Sequence, residues 1–184
     1  MTQTLSTNQW TPFPVELVFA FFANPGNLPH LMPAWQKAKI ESSRIIPPPP
    51  RPLADDPSLR FQSPAAGRDS EMVISFRPFP GLPFRMGWLA RITEFEWNDH
   101  FCDQQVKGPF ATWNHCHRIQ QETRDGVAGT LIHDEVEYSL PFGALGSLGN
   151  ALFVRRQMEA TFAYRQRRLD EILPVAARQA TRRS

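Results

Sequence analysis

The sequence predicts an α+β fold in which one strand and two short helices precede six further strands and a long C-terminal helix. Two patterns carry this prediction. From Met72 to Tyr138, apolar and polar side chains alternate in segments separated by turn residues, which is typical of antiparallel strands. From about Leu148 to Leu173, apolar residues instead recur at helical spacing.

The N-terminal quarter is divided by prolines. Thr4–Trp10 has strand character, and Pro14 suits the first turn of a helix over Val15–Ala23. A second short helix is predicted over Leu28–Met32, and a strand over Trp35–Ile46 follows it.

We assign one domain to residues 1–175, since 184 residues suffice to bury roughly 70% of the unfolded surface. Residues 47–64 form a Pro-rich surface loop within it, because proline donates no hydrogen bond to a sheet. The loop is either a spacer or a docking segment. Residues 176–184 are predicted to be a basic, disordered tail.

The central strands are predicted from their alternation. Phe84–Trp97 places four apolar side chains on one face and two arginines on the other: Met86, Trp88, Ala90 and Ile92 against Arg85 and Arg91. Three further strands follow, with turns at Gly108-Pro109 and Asp125-Gly126. In the last, Asp134 and Tyr138 share one face.

The C-terminal helix carries an apolar stripe that includes Met158 and Phe162. This stripe is either core or the floor of a cavity. Before it, Gly143, Gly146 and Gly149 lack the spacing of a nucleotide-binding loop and are expected to let the chain turn into the helix.

Composition excludes several classes of protein. A net charge of +2 gives no case for binding nucleic acid, and no apolar run approaches the roughly 20 residues of a membrane span. The first residues lack the features of a secretory signal, so we expect a cytoplasmic monomer or homodimer. Cys102 and Cys116 would lie opposite each other in a hairpin centred on Pro109, but in a reducing compartment we expect two thiols.

Polar residues gather on one face of the predicted sheet: Asp103, Gln105, His115, His117 and Asp134. Pairing about Pro109 sets Asp103 opposite His115, where a hydrogen bond is within reach. The pair is either a general base or a structural link between two strands. Tyr138 either orients a ligand carbonyl or belongs to the core. A one-residue change of register would turn all these side chains away.

The spacing of His115 and His117 also occurs in metal sites, with Asp103 or Asp134 as a third ligand. Because aromatic neighbours suit an organic ligand better, we expect no metal and no cofactor. We expect the ligand to contact nine side chains: Trp88, Gln105, Trp113, His115, His117, Asp134, Tyr138, Met158 and Phe162.

Three motifs resemble the START and birch-pollen-allergen superfamily. They run from Pro14 to Leu28, from Gly108 to Arg118 and from Thr130 to Gly143. Within that superfamily the chain is most similar to the polyketide cyclase/dehydrase-like branch, SRPBCC. The resemblance implies a helix-grip fold, in which a curved antiparallel sheet of about seven strands wraps around the C-terminal helix and leaves an apolar cavity between them. It implies no single chemistry.

The function predicted first is binding of a hydrophobic or amphipathic small molecule, lipid or polyketide-like, in that cavity. The alternative is a cyclase or dehydratase in which Asp103 and His115 act as the base and Tyr138 polarises a carbonyl.

Overall fold

A computed structural model describes residues 2–56, 60, 63–81, 83–141 and 153–181, with side chains up to residue 178. Its strands form a seven-stranded antiparallel sheet with the order β1-β7-β6-β5-β4-β3-β2. The strands are β1 (Gln3–Thr11), β2 (Lys39–Arg44), β3 (Glu71–Phe76), β4 (Met86–Glu96), β5 (His100–Lys107), β6 (Thr112–Arg124) and β7 (Val127–Ser139). The predicted order of elements is confirmed.

The first helix, α1 (Val15–Ala23), begins directly after Pro14 and is buried almost all round, because seven of its nine residues are apolar and inaccessible. Asn24 ends it and caps the 3₁₀ helix Pro25–Leu31, accepting a hydrogen bond from the Gly26 amide at 3.0 Å. The second short helix that was predicted is a 3₁₀ helix, because the prolines limit α-helical hydrogen bonding there. A second 3₁₀ turn, Ala34–Gln36, precedes β2, which is shorter than predicted.

The long helix, α2 (Arg155–Thr181), lies against the concave face of the sheet. It continues through residues that we expected to begin a disordered tail at 176, because the segment after Pro174 is rich in alanine, the strongest helix former. Gln9 of β1 donates to the Gln166 carbonyl at 3.0 Å, and Gln166 donates to the Asn8 carbonyl at 3.1 Å. The helix is thus fixed to one edge of the sheet. The predicted glycine turn at residues 143–149 lies outside the described residues.

Two apolar clusters hold these layers together. One joins α1 to the C-terminal half of α2 through Phe19, Ile119, Leu169 and Leu173. The other joins Leu5, Val136 and Tyr138 of the sheet to Met158 and Phe162 of α2. Each fully buried large side chain contributes roughly 1.5–3 kcal/mol to the free energy of unfolding. Between the two clusters, the concave face is not filled.

The hairpin of β5 and β6 has the predicted register, with Asp103 opposite His115 and Cys102 opposite Cys116. The expectation of two thiols is wrong for this structure, in which a disulfide joins the two cysteines. Their Cα atoms are only 4.1 Å apart, as in a pair that exchanges no backbone hydrogen bonds. The next turn is also as predicted: Asp125 and Gly126 have φ values of 49° and 78°, the signature of a type I′ hairpin.

The Pro-rich loop packs against α1 and Trp97, and its Ser63 hydroxyl donates to the Ala20 carbonyl at 3.3 Å. Its Arg51 guanidinium lies 4.4 Å from the centre of the Trp97 ring, whose Nε1 donates to the Pro49 carbonyl at 2.7 Å. No strand occurs in the described part of this loop, as predicted. Across the described parts of the chain, no helix has the length and apolarity needed to cross a membrane.

Candidate functional site

A cavity of about 520 Å³ lies between the sheet and α2. Its apolar lining comes from α1, the sheet and the first turns of α2: Phe22, Met72, Trp88, Phe101, Met158 and Phe162 are examples. The four apolar side chains predicted to share one face of β4 all line it. Of the two arginines predicted on the other face, Arg91 is exposed, whereas Arg85 is half-buried and donates hydrogen bonds to the Ser75 carbonyl and hydroxyl.

Six of the nine predicted contact residues line this cavity: Trp88, Trp113, His115, His117, Met158 and Phe162. Asp103, predicted as part of the base, lines it as well. Alternation along each strand places the strand residues of this set on the concave face, and Met158 and Phe162 face them from α2.

Gln105, Asp134 and Tyr138 are not part of the cavity lining. Gln105 closes the hairpin turn instead, donating to the Phe110 carbonyl at 2.8 Å and accepting from the Phe110 amide at 3.2 Å. Tyr138 is 1% exposed and belongs to the core cluster under α2, because the helix covers that end of the strand. Asp134 is 5% exposed and lies behind the two histidines.

A polar cluster forms one wall of the cavity. The Oδ2 atom of Asp103 is 3.6 Å from Nδ1 of His115, and Nε2 of His115 is 3.4 Å from Oδ1 of Asp134. Oδ1 of Asp134 also contacts Nδ1 of His117. The two imidazole rings, two residues apart on β6, have centroids 4.0 Å apart. The cluster therefore spans three neighbouring strands, β5, β6 and β7.

Arg165 of α2 completes the cluster and was not predicted. Its Nη2 atom is 3.3 Å from Nδ1 of His117 and 3.8 Å from Oδ1 of Asp134, and its guanidinium lies 4.9 Å from the centre of the Phe22 ring. The sequence contains a signal for it. Arg165 falls on the buried stripe of α2, three residues after Phe162 and four before Leu169, where a charged residue requires a partner.

Burial and neighbouring charges act differently on the acidic groups. Burial raises the pKa of the Asp103 carboxyl, and this effect exceeds the opposing influence of His115 and Arg165. Burial acts in the same direction on Asp134, but Arg165 and His117 together hold the pKa of that carboxyl well below its usual range. Asp103 is therefore suited to carry a proton, and Asp134 to stay ionised.

Burial lowers the pKa of His117 to about 3, and the neighbouring His115 and Arg165 act in the same direction. This effect exceeds the attraction of Asp134, so the His117 imidazole is neutral near pH 7.

Five buried side-chain atoms of cavity-lining residues have no hydrogen-bond partner among the described residues. Three belong to Trp113, His115 and Arg165, at the polar cluster. The other two are Oε1 of Gln36, a side chain that is 5% exposed, and Nε1 of Trp88. Gln36 was not predicted as a site residue, since a lone glutamine before a strand has no distinguishing pattern. The pair offers one acceptor and one donor to a molecule in the cavity.

Within the described residues, two groups of side chains could hold a metal ion. Asp103, His115 and His117 each offer a ligand atom, and these atoms all lie within 4.8 Å of one another. The second group, Glu96, Asp99 and His100, is more exposed.

Residues 11–166 match the model of a family described as polyketide cyclase/dehydrase and lipid transport. No curated protein matches the sequence significantly. The match spans all three motifs on which the superfamily resemblance was predicted, and it confirms that prediction.

Solved structures share the fold at low sequence identity. TTHA0849 from Thermus thermophilus has a TM-score of 0.64 and 16% identity, covering 95% of this chain and 99% of its own. Ara h 8.0201 has a TM-score of 0.54 and 13% identity, covering 90% and 96%. A norcoclaurine synthase point mutant from Thalictrum flavum, in complex with a transition-state analogue, has a TM-score of 0.56 and 13% identity, covering 93% and 96%. These similarities confirm the helix-grip fold.

Proposed function

Because this chain belongs to the polyketide cyclase/dehydrase and lipid transport family, we propose that it binds a hydrophobic or amphipathic small molecule between the sheet and α2. The observation that carries the proposal is the cavity of about 520 Å³, which is within the usual range for small-molecule sites. Its lining is mostly apolar, and its polar groups are concentrated at few points.

The distribution of polar groups supports an amphipathic ligand. Gln36 and Trp88 offer an unpaired acceptor and an unpaired donor, and Asp103 offers a carboxyl with a raised pKa. Such groups fix the orientation of a ligand whose remaining surface contacts Phe, Trp and Met side chains. A ligand with a hydroxyl or carbonyl group on an apolar body suits this arrangement.

The test compares a cavity-filling variant with a matched variant on the opposite face of the sheet. Ala90→Phe places a ring in the cavity, whereas Val73→Phe places one on the exposed side of β3, where Val73 is 37% exposed. We expect 1-anilinonaphthalene-8-sulfonate to bind wild type and Val73→Phe with similar affinity and Ala90→Phe at least about tenfold more weakly. Equal affinity for all three proteins would refute binding in this cavity.

Native mass spectrometry of freshly purified protein addresses the natural ligand. We expect an organic adduct on wild type that is lost on denaturation and absent from Ala90→Phe. An adduct that persists in Ala90→Phe would place the ligand elsewhere.

A second candidate function is catalysis of the cyclase or dehydratase type. The observation that favours it is the Asp103 carboxyl, which lines the cavity, has a raised pKa and lies 3.6 Å from His115. Tyr138 is buried in the core and takes no part in this version of the mechanism.

The two candidates differ in what His115→Ala does. Under catalysis, the variant retains the molecule recovered from wild type but no longer converts it. Under binding alone, neither protein changes the mass of that molecule, and the variant alters only its affinity.

A further inference from the structure

Two imidazoles and one carboxylate converge on the cavity from β5 and β6. Asp103, His115 and His117 offer ligand atoms that all lie within 4.8 Å of one another, and all three residues line the cavity. We propose that these three side chains bind one divalent transition-metal ion of the zinc type. The proposal departs from our expectation of no metal, which rested on the aromatic neighbours of the two histidines.

The distances are close to those of a bound zinc ion. Nδ1 of His115 and Oδ2 of Asp103 are 3.6 Å apart. Two donors held tetrahedrally at roughly 2.0–2.1 Å from zinc are about 3.3 Å apart, so a small side-chain rotation brings this pair to bonding positions. The third donor, on His117, comes from the same face of the same strand.

The backbone behind these donors is rigid. Asp103 and His115 face each other across the β5–β6 ladder, and the next pair of that ladder is joined by the Cys102–Cys116 disulfide. Sites built on paired strands hold ligands more accurately than sites on loops. The three donors are therefore brought together by the fold of the hairpin itself.

Asp134 has the position of an outer carboxylate that orients both imidazoles. Its Oδ1 atom is 3.4 Å from Nε2 of His115 and contacts Nδ1 of His117. A metal-binding histidine typically donates its second ring N–H to such a carboxylate. The remaining ring nitrogens, Nδ1 of His115 and Nε2 of His117, would then bind the metal ion.

Charge and hydrogen bonding also favour a cation. Within the described residues, Nε2 of His115 and Oδ1 of Asp134 are buried without a hydrogen bond of good geometry. A bound metal ion would displace the proton that burial favours on Asp103, and the two ionised carboxylates of Asp103 and Asp134 would then oppose the single positive charge of Arg165. Arg165 contacts His117 at Nδ1, whereas the metal is assigned to Nε2.

Three protein ligands leave one tetrahedral position for water or for an oxygen of a molecule in the cavity. This inference goes beyond the proposed function, because it assigns an inorganic ligand to one wall of the site. It requires no organic ligand.

Calorimetric titration of the EDTA-treated, desalted protein with Zn²⁺ tests the inference, with Mg²⁺ as the comparison ion. We expect one Zn²⁺ per chain, no Mg²⁺ binding, and affinity at least about tenfold weaker in His115→Ala and His117→Ala. His100→Ala is the matched control, because it removes the histidine of the more exposed group, Glu96, Asp99 and His100. We expect wild-type affinity for it.

Absence of Zn²⁺ binding to the wild type, unchanged affinity in the two site variants, or loss of affinity in His100→Ala would each overturn the proposal. X-ray absorption at the zinc edge keeps it testable if the variants do not fold. The wild-type spectrum should show two imidazole nitrogens at roughly 2.0–2.1 Å. A spectrum with sulfur ligands, or without imidazole, would contradict the site. Neither measurement involves an organic ligand, so a negative result leaves the cavity proposal intact.

Discussion

Protonation of His117 should make the metal-free protein unstable in acid. The pKa of His117 is lowered to about 3, against an unfolded value of about 6.5. A group with a depressed native pKa contributes stability above its unfolded pKa and loses it as pH falls towards the native value. The loss therefore runs from about pH 6.5 to about pH 3.

The size of this effect follows from the two pKa values. At pH 4 the unfolded chain is almost fully protonated at this site and the native protein is hardly protonated. The linkage between proton binding and folding then lowers the free energy of unfolding by about 3 kcal/mol between pH 7.5 and pH 4. The Asp103 carboxyl acts in the opposite direction, because its pKa is raised and protonation in acid favours the native state. A matched variant is needed to separate these effects.

Urea unfolding at pH 7.5 and pH 4 in the presence of EDTA measures the difference. We expect wild type to lose about 3 kcal/mol more than His117→Phe, which fills the same space without titrating. His100→Phe, at the start of β5, is the control for replacing a histidine by an apolar ring. Equal pH dependence in wild type and His117→Phe would refute the assignment of a neutral buried imidazole.

Three further predictions concern the same region. Arg165→Met should lower the free energy of unfolding by about 3–5 kcal/mol in urea, because it leaves Asp134 as a buried charge without its cation; Arg165→Met combined with Asp134→Leu should recover part of that loss. Reduction of the disulfide between Cys102 and Cys116, which are 14 residues apart, should lower the free energy of unfolding by about 3 kcal/mol. Mass spectrometry before and after reduction checks whether the disulfide is formed. Gln105→Ala should cost about 1–3 kcal/mol in thermal unfolding and leave binding of the naphthalene probe unchanged, because Gln105 ties a turn and does not line the cavity.

Local signals in the sequence were sufficient for the strands and the central hairpin. Turn residues at Pro109 and at Asp125-Gly126 determine the register of their neighbours, and register determines which side chains face inward. The prediction that Asp103 faces His115 depended on this alone. Contacts within a hairpin are local in the sequence, so they are readable from it.

The position of the helix over the sheet was not readable in the same way. Asp134 and Tyr138 occupy the predicted face, but whether that face is open or covered depends on a helix that begins about twenty residues later. Tyr138 is covered by α2, and Arg165 of the same helix is part of the polar cluster. Alternation within a strand predicts the direction of a side chain and carries no information about its distant neighbours.

The disulfide was missed for a different reason. The geometry that brings Cys102 opposite Cys116 was predicted, and the bond was rejected on an assumption about the cellular compartment. That assumption rested on the N-terminal residues, which say nothing about the spacing of two sulfur atoms across a hairpin.

The two outer strands of the sheet bear on how the protein avoids aggregation. An unpaired strand edge invites pairing with another molecule unless it is short, charged, bent or covered. β2 is six residues long, carries Lys39, Glu41 and Arg44, and has a bulge between Ile40 and Ser42. At the other edge, the Gln9 and Gln166 bonds hold α2 beside β1. Both edges thus carry features that oppose pairing with a strand of another molecule.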